Sequence, residues 1–469
     1  MRRALALAAG LWLGAAAGAA PAETASSTSE TEVLRITERS DFSRYLDGRY
    51  LGHAYREARG ALVPNPDGKG FEGDFLVLEE TLRDDHAVSR QVDQSVPASL
   101  AVLPGGAFDL RVDSGYPSLR ACPSFPEDYK AGRLEKGEAW TAPGVRALDF
   151  EDSGSFVLLP FLAEYRCRGL VDFQGRQALS LSAKFATRWS SATRAAPIAQ
   201  PVAPIAQPAA DRPVSELISK ATGTHDLDIL VDPETLSPIF IRDRFDETFE
   251  LAAGGGSERR SGFTLYFYNK SPGLDQGKAA QAIVAAVAAA GQASTPAAPP
   301  AASRGDAATP PPLAAGSEDR LPPGAGPGPL DAGPASPLAD GGSLAAAGLE
   351  LGSSPEGLVL RVKDLRFVAD SDQILGSELW RLDAIAAALK SLPGRTFLVA
   401  GHSAAVGKAA GELELSIRRA KKVTEELAAR GIDASRLLYR GFGSSLPLAG
   451  NDTEEGRAKN RRVEITVLD

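Results

Sequence analysis

The run STPAAPPAASRGDAATPPPLAAGSEDRLPPGAGPGPLDAGPASP, residues 294–337, constrains this chain more than any other stretch. It belongs to a segment from 272 to 345 built mainly of Ala, Pro and Gly, with almost no large apolar side chain. Such a segment cannot bury enough apolar surface to offset the entropy of ordering it. The sequence therefore predicts two folded parts separated by a long disordered Ala/Pro/Gly linker. Residues 276–290 read as a short alanine-rich helix at its head. About 50 residues of this kind reach up to roughly 150 Å when fully extended, and far less on average. A tether of that reach suits a protein that bridges two things at a distance.

The N-terminus, MRRALALAAGLWLGAAAGAAPAETASS, has a basic start, an apolar run and a small-residue cleavage pattern at Ala20 and Ala22. Residues 1–22 read as a signal peptide, which predicts export. No later run reaches the roughly 18 apolar residues of a membrane span, so no transmembrane segment is expected in the mature chain. The net charge of -9 argues against a nucleic-acid binder, which would present a basic face. Export places Cys122 and Cys167 in an oxidising compartment. A disulfide between them would contribute roughly 3 to 4.5 kcal/mol. Two separate buried thiols are the competing reading, because sequence does not show that the two approach.

Residues 32–190 read as a β-rich domain. Leu179, Leu181, Ala183 and Phe185 alternate with polar residues, the period of a half-buried strand. FQGRQ, just before them, is a hairpin turn signal. Trp140 and Trp189 read as core or rim aromatics. The tandem APIAQP within 191–214 is a Pro/Ala-rich loop. Strand patterning resumes over 215–271, with a turn at Asp232-Pro233. This segment is either a second small β domain or the rest of the first sheet. The strands read as few and irregular, without the regular apolar alternation of an outer-membrane barrel.

Residues 350–469 carry the clearest periodicity. GLVLRVKDLRF and RTFLVAGH are strands. SELWRLDAIAAALKSL places Leu379, Leu382, Ile385, Ala386 and Leu389 on one helical face. The helix from Glu412 has an apolar stripe of Leu413, Ile417, Ala420, Val423 and Leu427, and Gly431 as its stop. SRLLYRGFG and NRRVEITVL are two further strands. The expected class is α+β, with a βαβαββ order and a mixed sheet covered by helices on one face.

GHSAAVG, LSIRRAKKVTEEL, GFGSSLP and NDTEEGRAKNRRVEI resemble the C-terminal domain of OmpA-type proteins, shared with Pal-type lipoproteins and flagellar-motor stators. The pattern LSxxRAxxVxxxL is met at Leu415, Ser416, Arg419, Ala420, Val423 and Leu427, and GRAxNRRVEI from Gly456 to Ile465. The whole arrangement also resembles spirochaete-type multidomain OmpA-like proteins. The resemblance implies non-covalent binding of peptidoglycan through the diaminopimelate of its stem peptide. That zwitterion needs a guanidinium and a carboxylate at fixed separation. The resemblance assigns the guanidinium to Arg419. It places an aspartate where this chain has Ala404, and an asparagine where it has Glu412. Loss of one member of a buried charge pair costs about 2 to 5 kcal/mol, roughly 30- to 4,000-fold in affinity. Glu412, seven residues before Arg419 on the same helical face, is one candidate replacement carboxylate. Asp370, after the first strand of the domain, is another. A first-turn glutamate is also favoured by the helix dipole alone.

His402 is isolated in sequence from His53, His86 and His225, so no metal-ligand spacing appears and no metal or cofactor is expected. Arg457, Lys459, Arg461 and Arg462 form a basic run, read first as a solvated, ion-paired face and second as an aid to holding glycan. No hydrolase, metalloprotease, redox or nucleotide-binding motif is present. The sequence reading is a non-catalytic, periplasmic envelope protein associated with the cell wall or outer membrane. Its expected partner is peptidoglycan, its stem peptide or an envelope protein. The alternative is an envelope enzyme or ligand carrier in the β-rich region, with the C-terminal domain as localiser.

Overall fold

The computed structural model describes residues 32–66, 70–80, 90–102, 108–112, 115–126, 134–149, 156–191, 217–293, 342–354, 357–368 and 371–468. The stretch read as a signal peptide, nearly all of the 191–214 loop, residues 294–341 and Asp370 lie outside them.

The β-rich region is built by hairpins. Strands β1 (Glu32–Leu46) and β2 (Arg49–Pro64) turn at Asp47 and Gly48, whose φ values are 48° and 78°. Strands β9 (Phe156–Phe173) and β10 (Arg176–Ser190) turn at Gln174-Gly175, with φ of 54° and 76°. Paired positive φ values give the turn whose twist matches that of the strands. This is the turn signalled by FQGRQ. At the expected Asp232-Pro233 turn, Asp232 Oδ1 accepts from the amides of Glu234 (2.9 Å) and Thr235 (2.8 Å). The turn joins β11 (Ile218–Val231) to β12 (Pro238–Leu251), and β13 (Ser257–Pro272) follows.

Together with β3 (Gly70–Glu80), β5 (Gln94–Val102), β6 (Phe108–Val112), β7 (Leu119–Arg120) and β8 (Ala139–Asp149), these form one antiparallel sheet of 12 strands among the described residues. Its order is β6-β5-β3-β2-β1-β13-β12-β11-β10-β9-β8-β7. Strands β11–β13 lie between β10 and β1, so 215–271 shares a sheet with 32–190. The strands are neither few nor irregular, contrary to the sequence reading. Periodicity missed them because their inward faces mix apolar with charged side chains. Ser118, just before β7, bonds Glu38 of β1 across the sheet, so the sheet curls upon itself. The curled sheet encloses a shared core that includes Ile36, Leu100, Leu119, Tyr165, Leu181, Ile229 and Tyr266.

The C-terminal domain has a sheet of order β14-β15-β18-β16-β17-β4. Its strands are β14 (Leu349–Ser354), β15 (Gly357–Lys363), β16 (Thr396–His402), β17 (Leu437–Gly443) and β18 (Arg462–Leu468). The sixth, β4 (Arg90–Gln91), comes from the β-rich region and pairs parallel with β17. Its helices are α1 (Gln276–Ala293), α2 (Gly342–Ala346), α3 (Leu379–Lys390), α4 (Ala409–Ala429) and α5 (Glu454–Asn460). The order thus differs from βαβαββ. It gains β14 before the first expected strand and α5 before the last, the latter too short and polar to show a helical period.

The linker assignment is corrected at its head. In α1, Ala279, Ala280, Ile283 and Val287 are buried in the same core as Leu382 and Ile385 of α3. Ala279, Ile283 and Val287 form a helical stripe at i, i+4 and i+8, with Ala280 beside it. Alanine-rich composition marked this stretch as linker, but its small side chains let it seat closely on the domain. The two cysteines are both buried and free. The expected disulfide is not formed, and the Tyr165 hydroxyl donates to Cys122 Sγ at 3.3 Å instead.

Candidate functional site

The site is assembled where α4 begins, against the ends of β16 and β17. Ser416 carries the contact: its Oγ accepts from the Gly443 amide at 2.9 Å. A Cβ on Gly441 would lie 2.5 Å from the Ile417 nitrogen and from Ser416 Oγ, and one on Gly401 would collide with the Ser416 carbonyl. Glycine at both strand ends therefore lets the helix approach the sheet.

Between β16 and α4 runs the loop of residues 403–408. Ala404, where the resemblance places an aspartate, is 2% exposed. The loop is tied to Glu412, itself 8% exposed. Glu412 Oε1 accepts from the amides of Val406 (2.8 Å) and Gly407 (2.6 Å), and Oε2 accepts from Ser444 Oγ (2.5 Å). Burial raises its pKa, but the bonds from Ser444, Gly407 and Val406 outweigh it and hold the carboxyl below its ordinary range. Asn451 Oδ1 accepts from the Ala405 amide at 3.1 Å and from Asn460 Nδ2 at 3.0 Å.

Arg419 lies half-buried farther along α4. Its Nε donates to the Ser371 carbonyl at 3.1 Å. Its guanidinium carbon sits 4.7 Å from the Phe367 ring centroid, within cation–π range. Ser371 lies in the chain between Phe367 and Ile374, which pair in an antiparallel bridge. Asp370, its chain neighbour, lies outside the described residues. The structure thus gathers Arg419, Phe367 and Ser371 at one place, and gives Glu412's carboxylate three donors of its own. Phe367 and Asn451 were not singled out from sequence. An aromatic just beyond a strand is the signal that could have marked Phe367.

The basic run is engaged structurally. Arg457 and Arg461 bond Glu454, and Arg462 bonds Glu464. Asn460 is buried and holds the 448–451 turn through Leu448, Ala449 and Asn451. His402 is 5% exposed and stacks on Phe442 with ring centroids 5.2 Å apart. Burial, then the Arg462 charge, push its pKa down to about 3, against an opposing pull from Glu464. No group of metal ligands occurs among the described residues.

These strands, loop and helix carry the residues that decide the family. The OmpA family model matches residues 366–461. The chain carries an OmpA-family domain. Outer membrane protein A of Bordetella avium is 39% identical over 87 residues, which are 19% of this chain and 45% of that protein. Peptidoglycan-binding protein ArfA of Mycobacterium tuberculosis is 37% identical over 103 residues, 22% of this chain and 32% of that protein. The structure of the cell wall anchor of the T6SS from Pseudomonas aeruginosa aligns at 32% identity over 27% of this chain and 90% of that one, with a TM-score of 0.25. The chain spans less than two thirds of the length of either curated relative.

Outside the OmpA-like domain, the curled sheet encloses a second polar cluster. His225 Nδ1 lies 2.9 Å from Asp243, and its Nε2 lies 3.0 Å from Glu247. Arg146 and Thr187 also bond Glu247. Burial raises the Glu247 pKa, but Arg146 and His225 overcome it and drive the carboxyl well below its usual range. The nearby cavity, beside Arg146 and Ser118, is only about 40 Å³.

Proposed function

We propose that this chain is a non-catalytic, exported envelope protein whose OmpA-like domain associates with peptidoglycan or a wall-bound partner. In this reading its diaminopimelate binding is weakened or altered, because the position of the family aspartate is Ala404. The observation that supports it most is the setting of Arg419. The guanidinium is held on Phe367 and the Ser371 carbonyl, while the 403–408 loop has Ala404 where the resemblance places an acid. Glu412 braces the 403–408 loop through Oε1 and Ser444 through Oε2, which favours a structural role over that of a replacement carboxylate. Asp370 stays the other candidate. The names of the relatives, outer-membrane and peptidoglycan-binding proteins, fit a periplasmic, wall-associated location.

The cavity beside the His225 cluster, about 40 Å³, has room for a water molecule or two, which supports the non-catalytic reading over an enzyme site there.

Co-sedimentation of the mature chain with purified peptidoglycan sacculi tests the proposal. Wild-type protein is expected to bind weakly, Arg419→Ala to lose that binding, and Ala404→Asp to strengthen it by about 30-fold or more. Binding that ignores both substitutions would overturn the assignment of the site. Loss of binding in Asp370→Ala or Glu412→Ala, with the fold intact, identifies the replacement carboxylate.

A further inference from the structure

The sheet of the OmpA-like domain has helices on one face. Its other face meets the outward side of β1, β2 and β3. The contact is fixed at one margin by Leu76, Leu78 and Val92 packing on Leu398 and Leu438. There the Val92 amide also bonds the Tyr439 carbonyl at 2.8 Å. Beyond this seam the two sheets part and enclose a cavity of about 710 Å³. That volume lies within the range of small-molecule binding sites.

The lining is strongly basic. Seven arginines face it, among them Arg35 and Arg59 from the curled sheet and Arg440 and Arg462 from the OmpA-like domain. Three carboxylates share the lining: Glu72, Asp74 and Glu464. Glu57 pairs with Arg39 and Arg59, and Glu350 with Arg361, from outside it. Even with those two counted, arginines outnumber these carboxylates seven to five among the described residues. Val359, Leu76, Leu398 and Phe442 supply an apolar floor.

His402 gives a second, independent sign. It lines the cavity, it is buried, and neither ring nitrogen has a hydrogen-bond partner among the described residues. Its nearest carboxylate oxygen, on Glu464, lies 3.8 Å away, too far for a hydrogen bond. Buried polar groups in native proteins nearly always have a partner, so an unmatched imidazole at a cavity wall indicates a ligand or water that completes it. Arg440 stands beside it, its guanidinium carbon 4.9 Å from the Phe442 ring on which His402 stacks.

We propose that this cavity binds an anionic amphiphile, a molecule with a phosphate or carboxylate head and an apolar tail. The arginines and His402 hold the head, and the strand side chains hold the tail. Because each wall belongs to a different sheet, the ligand also clamps the β-rich region to the OmpA-like domain. This site is separate from Arg419, on the opposite side of the sheet from α4.

Calorimetric titration of the full mature chain tests the proposal with four probes below their micelle concentrations: lysophosphatidylglycerol, dodecanoate, octyl glucoside and inorganic phosphate. Saturable binding of one or both anionic amphiphiles is expected, at least about tenfold tighter than octyl glucoside or inorganic phosphate. Preference for lysophosphatidylglycerol assigns a membrane-derived head, and preference for dodecanoate a free carboxylate. The double variant Arg35→Gln/Arg440→Gln should weaken binding about tenfold or more. Arg440→Lys, which keeps the charge, should recover part of a single Arg440→Gln loss. Unchanged far-ultraviolet circular dichroism shows that each variant is folded. Equal affinity for octyl glucoside and the anions, equal affinity for inorganic phosphate and the amphiphiles, or indifference to the arginine substitutions would overturn the proposal.

Discussion

Replacing His402 by Phe should make the OmpA-like sheet more resistant to acid. The imidazole stacks on Phe442, and a phenyl ring can keep that contact while removing the titratable nitrogens. Burial and the neighbouring Arg462 push the folded-state pKa from 6.5 to about 3, despite Glu464 at 3.8 Å. Between those values the unfolded chain binds a proton that the folded chain does not, so stability falls as pH falls. The contribution is fully present above pH 6.5 and is lost progressively toward pH 3. For a shift of this size the loss is about 1 kcal/mol at pH 6 and about 3 kcal/mol at pH 4.5. Other carboxylates also titrate in acid, so the informative quantity is the difference between variant and wild type at one pH. Hydrogen exchange of peptides from β16 and β18, followed by mass spectrometry, reads it locally. At pH 7.5 the two proteins should differ by a constant set by packing. At pH 4.5 the variant's protection relative to wild type should rise by roughly a further hundredfold. A variant-to-wild-type ratio that is the same at both pH values would refute the argument from burial.

Two further outcomes follow from the packing. Glu412→Ala removes the acceptor for Val406, Gly407 and Ser444, and should cost about 2 to 3 kcal/mol in loop stability, seen as faster exchange at 403–408. Because the folded pKa of Glu412 is lowered, the difference from wild type should be full above about pH 4.5 and shrink as the pH falls below it, and a pH-independent difference would count against those bonds. Ile283→Ala, at a position with 0% exposure on α1, should cost about 2 to 5 kcal/mol and open 276–293 to limited proteolysis. Unchanged proteolysis would show that α1 does not dock on the domain.

Local chemistry in the sequence determined much of the OmpA-like domain. The apolar stripes at Leu382/Ile385 and Ala420/Val423/Leu427 have helical spacing that neighbours in the chain suffice to set. The hairpin at Gln174-Gly175 was legible for the same reason, since a two-residue turn is decided by the residues within it. Arg419 was legible through its motif, although its seat on Phe367 was not. Tertiary structure decided what depends on residues far apart in the chain. Strand β13 closes onto β1, pairing Pro272 with Glu32, and no local period encodes a partner that distant. The bonds from Val406 and Ser444 to Glu412 were not legible in the sequence, because these partners come from two different loops. Ala279 and Ala280, read as part of a linker, are buried because α3 offers them a surface. The two cysteines are each buried in the core without bonding one another. The basic cavity exists only where two separate sheets meet, for a pattern within one strand specifies which face a side chain takes but not what the fold brings opposite it.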